Sequence, residues 1–251
     1  MAARGFIGAG NVYIERYVAG VSQGLAGPYY ANKFEIKPNV DKKELTSKGR
    51  DDYGQVLESL SIQKPAGFTL ELSEVNTESL TIALLGTAAA STQTAGSLTA
   101  VNVAVKTDRW VPVSKENLSG VATVTNAGAT VTYVEGTDYD LNRPLGLLRA
   151  KVGGAIVDAS ILKFTSAYLS VSATKISGAT NTNIRAKLIF DGKNQADGLP
   201  CIVTVWEAII AADSAFDFLG DDFNTVTLPG TMKTPTGKTE PFLVELRNVQ
   251  A

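Results

Sequence analysis

The sequence predicts a mainly β fold, an antiparallel β-sandwich or half-barrel with one flanking α-helix and an inserted small β module. Three observations support this prediction. Apolar and polar residues alternate at both ends of the stretch 33–73, which is the period of a half-buried strand. Residues 117–134 carry no charge and are rich in β-branched side chains. Residues 77–86 give the best helix signal in the chain.

The N-terminal segment, residues 1–32, is rich in glycine, and we predict a first strand at residues 12–18 within it. Gly5, Gly8 and Gly10 follow one another in the order GxxGxG. A phosphate-binding loop needs a strand before its glycines and a helix after them, and neither is indicated here. The segment therefore predicts an arm with one strand and no nucleotide site.

Residues 33–106 are predicted to form the first part of the main domain. Phe34 and Ile36 begin an alternating strand, residues 68–72 repeat the pattern, and residues 53–62 make a third extended run. The connection at residues 39–54 is charged and far longer than the usual two to five residues of a hairpin loop. A loop of this length is either disordered or makes a contact.

The helix prediction at residues 77–86 depends on three local signals. Asn76 is a capping residue, and Glu78 lies in the first turn, where a negative charge complements the helix dipole. Gly86 follows the apolar run and is expected to end the helix. The apolar stripe is expected to pack on a sheet, because such stripes are usually part of a core.

A change of composition follows the helix. Twelve of the fourteen residues 87–100 are Ala, Thr, Ser or Gly, which marks a boundary or an excursion. Beyond it, residues 107–183 read as short strands separated by turns, the first of them at Asn126-Ala127-Gly128. We predict an inserted outer β module over residues 107–183.

Asp138, Asp140 and Asn142 in this module match the opening of a calcium-binding loop, D-x-D-x-N. The motif then fails, because Arg143 occupies the position of the required glycine and Arg149 that of the bidentate glutamate. We expect these side chains to order a turn through bonds to the backbone.

Residues 184–251 are predicted to return to the main domain. They contain strands at residues 184–190 and 201–210, followed by a closing hairpin that pairs residues 223–232 with residues 242–247. The sequence Gly237-Lys238-Thr239 resembles the end of a P-loop, but no helix follows it, so a hairpin turn is predicted.

Three acids in this part, Asp217, Asp221 and Asp222, could serve as paired carboxylates for hydrolysis. They flank aromatic and aliphatic residues, and the pattern favours aromatic residues that anchor the segment and acids that face water.

Composition narrows the function classes. The 251 residues include no histidine, which removes the commonest general base and metal ligand, so we predict a non-enzymatic protein without metal or cofactor. A net charge of -2 argues against a protein that binds nucleic acid tightly, because such binding needs clustered Lys and Arg to neutralise phosphates. The single Cys201 lies in an apolar run and is expected to pack as a small hydrophobic residue. No secretory signal and no membrane-spanning run is indicated.

The run EIKPNVDKKELTSKGRDDYGQVLESLSIQKPAGFTLELSEVNTESLTIALLG, residues 35–86, resembles a segment of phage tail tube proteins, the major tail proteins of long-tailed bacteriophages. In that family a long charged hairpin leads into a strand pair and a short helix. The resemblance covers most of residues 1–90 and returns after about residue 185, where DFLGDDFNTVTLPGTM is similar to the family's C-terminal region. The run YVEGTDYDLNRPLGLL resembles an outer part of longer members.

The resemblance implies a structural virion protein located in the tail and assembled in the host cytoplasm. Its copies would form hexameric rings with a continuous ring-shaped β-barrel, and the rings would stack into a hollow conduit for DNA ejection. The N-terminal arm would lie against neighbouring subunits, or else be a locally ordered terminus. The long hairpin would touch the next ring, which implies an inter-ring contact loop of Lys42, Lys43, Glu44, Ser47, Lys48, Arg50, Asp51 and Asp52.

The partners implied by the resemblance are other copies of the chain, a tape measure protein in the lumen, and tail-end and baseplate or tip proteins. The choice between a contractile sheath and none stays open. DNA would pass transiently without specific binding, since a mildly acidic wall repels phosphates. Glu35 and Glu58 are candidates for facing the lumen, or are ordinary solvent-facing strand residues.

A second class of function remains open at this point, a β-rich carbohydrate-binding or adhesion module. The Thr- and Ser-rich strands of residues 107–183 favour it, whereas few aromatic residues there could stack on sugars. Those aromatic candidates are Trp110, Tyr133, Tyr139 and Tyr168.

Overall fold

Backbone pairing in the described residues, 5–211 and 215–247 of this computed structural model, produces many strands and a single short helix. The sheets are antiparallel, which confirms the mainly β class. In chain order the elements are β1 Gly8–Val18, β2 Val21–Thr46, β3 Val56–Leu72, α1 Thr77–Ala83, β4 Thr87–Gln93, β5 Gly96–Ala104, β6 Trp110–Pro112, β7 Leu118–Asn126, β8 Thr132–Tyr133, β9 Tyr139–Asn142, β10 Leu147–Ala150, β11 Ile161–Tyr168, β12 Val171–Ser177, β13 Ile184–Asn194, β14 Pro200–Ile210, β15 Val226–Met232 and β16 Phe242–Leu246.

The chain up to Ala88 and from Ile176 onward forms a first unit. It contains a seven-stranded sheet with the order β13-β1-β2-β3-β15-β14-β16. Because β13 also pairs with β14, the sheet closes on itself, whereas the sequence predicted a half-open one. Closure removes most of the free strand edges that a half-barrel would present.

One face of these strands forms the core of the first unit, because side chains alternate between the two faces of a strand. Val12 and Ile14 of β1, Leu70 of β3 and Leu188 of β13 are fully buried in one cluster. Ile82 of α1 joins the same cluster, so the helix packs on the sheet as its apolar stripe predicts.

The N-terminus of α1 is a capping box. The Asn76 Oδ1 atom accepts hydrogen bonds from the backbone N–H groups of Glu78 (3.0 Å) and Ser79 (2.9 Å), and the Ser79 hydroxyl accepts one from the Asn76 N–H. The Tyr29 hydroxyl donates to Glu78 Oε2 at 2.8 Å and ties β2 to the helix. Burial and this carboxylate raise the pKa of Tyr29.

The helix ends at Ala83, three residues before the predicted end at residue 86. Leu85, with φ of 46°, takes the left-handed position that usually belongs to glycine. The N–H of Gly86 then reaches the Thr81 carbonyl at 2.8 Å, which caps the last turn. The predicted stop signal therefore lies one residue beyond the left-handed position.

The predicted first strand, residues 12–18, lies within β1 and is confirmed, whereas three other predictions for the first unit are wrong. The predicted arm, residues 1–32, contributes β1 and much of β2 to the sheet from Gly8 onward, with β1 between β13 and β2. The predicted strands at residues 53–62 and 68–72 are parts of one continuous strand, β3. The predicted closing hairpin does not form, because β15 pairs with β3 and β14, and β16 pairs with β14.

The pairing of β14 explains the missing hairpin. One edge of β14 pairs with β15 at Ala208–Ile210 and with β16 at Cys201–Val205. β15 and β16 therefore follow one another along the same edge and in the same direction, and residues 233–241 leave the sheet between them. A hairpin would have placed the two strands side by side.

The second unit is Ala89–Lys175, whereas residues 107–183 were predicted. It starts earlier because β5 pairs with β11 inside its four-stranded sheet, β5-β11-β7-β8. It ends earlier because Ala179 and Asn181 donate backbone hydrogen bonds to Leu84 and Leu85 of the first unit. A three-stranded sheet, β6-β10-β9, completes the second unit, and β4 pairs with β12.

The core of the second unit contains Phe164, Leu162 and Leu148, all fully buried. The predicted turn after Asn126 is confirmed, since β7 and β8 pair across it. The Asn126 Oδ1 atom accepts hydrogen bonds from the N–H groups of Thr130 (2.8 Å) and Val131 (3.1 Å) and so orders that turn.

The D-x-D-x-N motif of the second unit orders the backbone, as predicted. The buried Asp138 carboxylate accepts hydrogen bonds from the N–H groups of Val134 (2.8 Å) and Ala155 (2.9 Å). These two bonds lower the pKa of Asp138. Asp140 pairs with Arg149 at 2.8 Å, so both carboxylates already have protein partners.

Candidate functional site

A long two-stranded hairpin projects from the closed sheet of the first unit. The pairing of β2 with β1 ends at Tyr30, and the pairing of β3 with β15 begins at Gly67. Among the described residues, residues 39–64 pair only with each other, and we call them the projecting hairpin. A lone two-stranded hairpin is marginally stable in water, so a hairpin of this length is expected to have a partner.

The base of the projecting hairpin is an irregularity in the ladder between β2 and β3. Lys37 pairs with Gly67 and Asn39 pairs with Lys64, so Pro38 stands opposite both Pro65 and Ala66. This is a β-bulge in β3. Proline has no backbone N–H, so both strands lack a donor at the point where the hairpin leaves the sheet.

The tip of the hairpin, residues 47–55, is ordered by its own hydrogen bonds. The Ser47 N–H donates to the Gln55 carbonyl at 2.8 Å, and the Ser47 hydroxyl accepts from the Gly49 N–H at 2.9 Å. Ser47 is only 7% exposed. Ser47 therefore shapes the tip and presents little surface for a contact. Its inclusion among the predicted inter-ring contact residues is wrong in this respect.

The predicted loop, residues 39–54, is strand over its first eight residues, because β2 continues to Thr46. Alternation then divides the predicted contact residues between surfaces. Lys42 and Glu44 lie on one face and form an ion pair, and Lys43 lies on the other face. The turn carries the remaining predicted residues, Lys48, Arg50, Asp51 and Asp52.

The face that carries Lys43 also carries an exposed apolar strip, formed by Leu45, Leu60 and Ile62. Lys43 pairs with Leu60, and Ile62 and Leu45 follow on the same side of the two strands. Their exposed fractions are 59% for Leu45, 60% for Leu60 and 43% for Ile62. Aliphatic side chains on an unsupported strand pair are a signature of an interaction surface.

The two residues predicted to face the lumen, Glu35 and Glu58, lie on the same face of the β2–β3 strand pair as Lys43. Glu35 alternates with the core residues Phe34 and Ile36, and Glu58 pairs with Leu45. Glu35 forms an ion pair with Lys33 at 2.5 Å, and this lysine lowers the pKa of the carboxyl group. Both glutamates are exposed, and the surface around Glu35 is mixed in charge and not acidic alone.

A second exposed apolar surface was missed from the sequence. Phe218, Leu219 and Phe223 were predicted to anchor their segment, yet they are 68%, 91% and 103% exposed. The aromatic residue that packs against the core is Phe216, and Phe218 stacks edge-on upon it at 4.8 Å between centroids. We call residues 215–225 the acidic apolar loop.

Other chemical candidates of the sequence have structural partners. The Asp217 carboxylate accepts a hydrogen bond from the Leu219 N–H at 2.8 Å, as a turn residue does. Lys238 of the P-loop-like sequence lies over the Trp206 ring, with its ammonium 3.7 Å from the centroid. Cys201 is buried, as predicted, and burial raises the pKa of its thiol. Among residues 5–211 and 215–247, no three His, Cys, Asp or Glu side chains form a group suited to a metal ion.

A family model described as "protein of unknown function UCP028589" matches residues 5–243. The chain belongs to this family. The matched range includes all of the second unit and most of the first, with the projecting hairpin and the acidic apolar loop. Comparison with curated proteins gave no match. No helix within the described part of the chain is long and apolar enough to cross a bilayer.

Proposed function

We propose that the protein is a structural virion protein, a phage tail tube protein that self-assembles into stacked rings around a conduit for DNA. The observation that supports this proposal best is the projecting hairpin. It leaves a closed sheet as an isolated strand pair, and it exposes the apolar strip and an ordered charged tip. A monomer gains nothing from these features, whereas contact with a second copy would bury them.

The closed sheet changes how such rings could form. A half-open sheet offers the edges of its outermost strands for pairing between neighbours, but closure leaves different edges free here. Among the described residues of the first unit, they are chiefly the outer edge of β16, the outer edge of β2 from residue 31 onward and the outer edge of β3 up to residue 66. In the proposed assembly the hairpin provides the contact between successive rings. Hexameric symmetry comes from the family resemblance alone.

The remaining parts of the proposal follow the resemblance in the same way. The protein acts without catalysis or cofactor, and it resides in the virion tail after assembly in the host cytoplasm. A tape measure protein occupies the lumen, and tail-end and baseplate or tip proteins close the tube. DNA passes without specific binding, past a surface for which Glu35 is the better lumen candidate, because Glu58 lies beside Leu45 in the apolar strip that the proposed contact buries.

Electron microscopy of the purified protein tests the proposal. Stacked rings or tubes are the expected result, and monomers at every concentration and salt condition would overturn it. A variant with Lys42, Lys43, Lys48 and Arg50 all changed to Glu should fold normally by circular dichroism and form no stacks. Its matched control changes four lysines outside the hairpin to Glu, namely Lys106, Lys163, Lys175 and Lys193.

The alternative, a carbohydrate-binding or adhesion module, loses support from the aromatic residues of the second unit. Tyr139 is 1% exposed and cannot stack on a sugar. The Trp110 ring has the Arg149 guanidinium over it at 5.0 Å, and the Tyr168 ring has the Lys115 ammonium over it at 5.4 Å. The remaining aromatic candidate, Tyr133, is half-buried in β8.

A further inference from the structure

We infer that the acidic apolar loop, residues 215–225, is the surface of a second copy that receives the tip of the projecting hairpin. This inference rests on the proposed head-to-tail stacking and names its receiving surface. Three features of the first unit support it: the positions of tip and loop, the exposed side chains of the loop, and the charges of both.

The tip and the loop lie at opposite ends of the same strand. The tip ends at residue 55 and leads into Val56, the first residue of β3. The loop leads into Val226, which pairs with Leu72, the last residue of β3. Since β3 has 17 residues, the two surfaces are about 50 Å apart along the strand. The tip cannot reach the loop of its own chain, so the contact requires a second copy.

Different surfaces at opposite ends are what a repeating stack needs. When the tip of one copy binds the loop of a second copy, the loop of the first and the tip of the second stay free. The same contact can therefore repeat without limit. A contact between two identical tips would end after one pair of copies. The position of the loop therefore suits the proposed assembly and not a simple two-fold dimer.

The loop presents its apolar side chains from an ordered turn. The Asp217 carboxylate accepts the Leu219 N–H, and the Asn224 side chain donates to the Asp217 carbonyl. These bonds hold Phe218 and Leu219 at the exposed end of the loop, near Phe223 in sequence. The hairpin tip offers a matching aromatic group, Tyr53, which is also exposed. Tyrosine and arginine, which the tip carries, are among the types that dominate binding energy at interfaces, and phenylalanine is enriched in interface cores.

The loop is acidic, whereas the tip carries charges of both signs, so complementarity is local to the two cations of the tip. No Lys or Arg occurs between Lys193 and Lys233, and the acidic apolar loop carries Asp217, Asp221 and Asp222. The turn of the tip carries the exposed cations Lys48 and Arg50 beside Asp51 and Asp52, and the two cations are the groups that would face the acids of the loop. Arg50 forms an ion pair with the neighbouring Asp51 at 3.2 Å, but such a fully solvated pair contributes little and is easily exchanged.

A charge-swap experiment on the full chain tests this pairing. The tip variant Lys48→Glu/Arg50→Glu and the loop variant Asp221→Lys/Asp222→Lys each place like charges together across the contact. We expect each variant to raise the concentration for half-maximal assembly at least about tenfold, because like charges facing each other are strongly unfavourable. The chain with all four changes should assemble within about threefold of the wild-type concentration, since complementarity is restored.

The matched control for the loop variant is Glu116→Lys/Asp191→Lys, which makes the same change of net charge elsewhere. It should assemble as the wild-type protein does, when sedimentation velocity is the measure and circular dichroism verifies folding. The inference is overturned if the loop variant also assembles normally, or if the four-change chain is no better than the separate variants. Failure of the wild-type protein to assemble would instead overturn the proposed function itself.

Disulfide trapping tests the same contact without charge substitutions, so its result does not depend on whether the charge variants fold. One population carries Tyr53→Cys and another carries Leu219→Cys, both at exposed positions, while the native Cys201 is buried. Oxidation of the mixed assembly should yield a dimer of the two unlike chains, and neither population alone should yield one. Assembled protein that gives no such dimer would contradict the inferred contact.

Discussion

The apolar strip of the projecting hairpin gives the sharpest prediction for assembly. Leu45, Leu60 and Ile62 contribute little to the folded monomer because about half or more of each side chain is exposed. Changing all three to Thr keeps β propensity and removes most of the aliphatic surface. We expect the free energy of unfolding of the monomer to change by less than about 0.5 kcal/mol per site, as at other surface positions.

The expected loss in assembly follows from the exposed fractions. Complete burial of a Leu or Ile side chain is worth about 1.5 to 3 kcal/mol. The exposed parts of the three side chains, 59%, 60% and 43%, therefore leave about 2 to 5 kcal/mol to be gained in a contact. Since about 1.4 kcal/mol is a tenfold change in affinity, the triple variant should assemble at least roughly 30-fold more weakly.

Sedimentation velocity across a concentration series measures this shift, and thermal denaturation at low concentration verifies the fold. The matched control is the triple change of Val121, Val152 and Val157 to Thr, which are exposed positions of the second unit. Equal assembly of the hairpin variant and the control would refute the reasoning, because the apolar strip would then be an exposed surface without a partner.

Further expected outcomes concern stability. Asn76→Ala removes the acceptor of two helix N–H groups and should cost about 1 kcal/mol in urea unfolding, while an unchanged midpoint would contradict the capping geometry. Gly230→Ala should destabilise the first unit by about 1 to 3 kcal/mol in thermal unfolding, because the new Cβ would clash with the Ile209 carbonyl oxygen and lie 2.6 Å from the Phe68 ring. Gly67→Ala is its control, with the nearest atom 3.7 Å away. Asp138→Asn should destabilise the second unit most near neutral pH. Because folding lowers the pKa of Asp138, its stabilisation is present above the unfolded pKa of about 4 and lost as pH falls through the folded value, so the difference in melting temperature should shrink at acidic pH.

Local signals were sufficient for the elements that depend on neighbours in sequence. The cap at Asn76, the turn after Asn126 and the bond from the Val134 N–H to Asp138 each involve residues within five positions of one another. Strands with clear alternation, such as β13 and β14, were also predicted close to their observed bounds. In each case the side-chain pattern and the backbone chemistry lie in one short segment.

The errors concern pairing between distant segments. Nothing in residues 223–247 shows that β15 and β16 share one edge of β14, because that arrangement depends on β3 and β14. The closing of the sheet by the pairing of β13 with β14 was missed for the same reason, because it depends on strands that are distant in sequence. The many charged residues of 39–54 led to the prediction of a loop. Residues up to Thr46 are strand instead, because their backbone pairs with β3.

The candidate site was predicted in part. The projecting hairpin was recognised from its length and charge, but its apolar strip was not, since Leu45 and Leu60 come together only through the register of the two strands. The acidic apolar loop was misjudged for a different reason. An aromatic residue in sequence is usually buried, and only the structure shows that Phe216 alone packs against the core there.

The bulge at Pro38 and Pro65 also has a thermodynamic consequence. A hydrogen-bonded ladder transmits unfolding from one strand pair to the next, and this ladder is broken where two donors are missing. We therefore expect the projecting hairpin and the closed sheet to unfold as separate units of cooperativity. We expect the hairpin to open and re-form many times while the core amides of β3 stay protected.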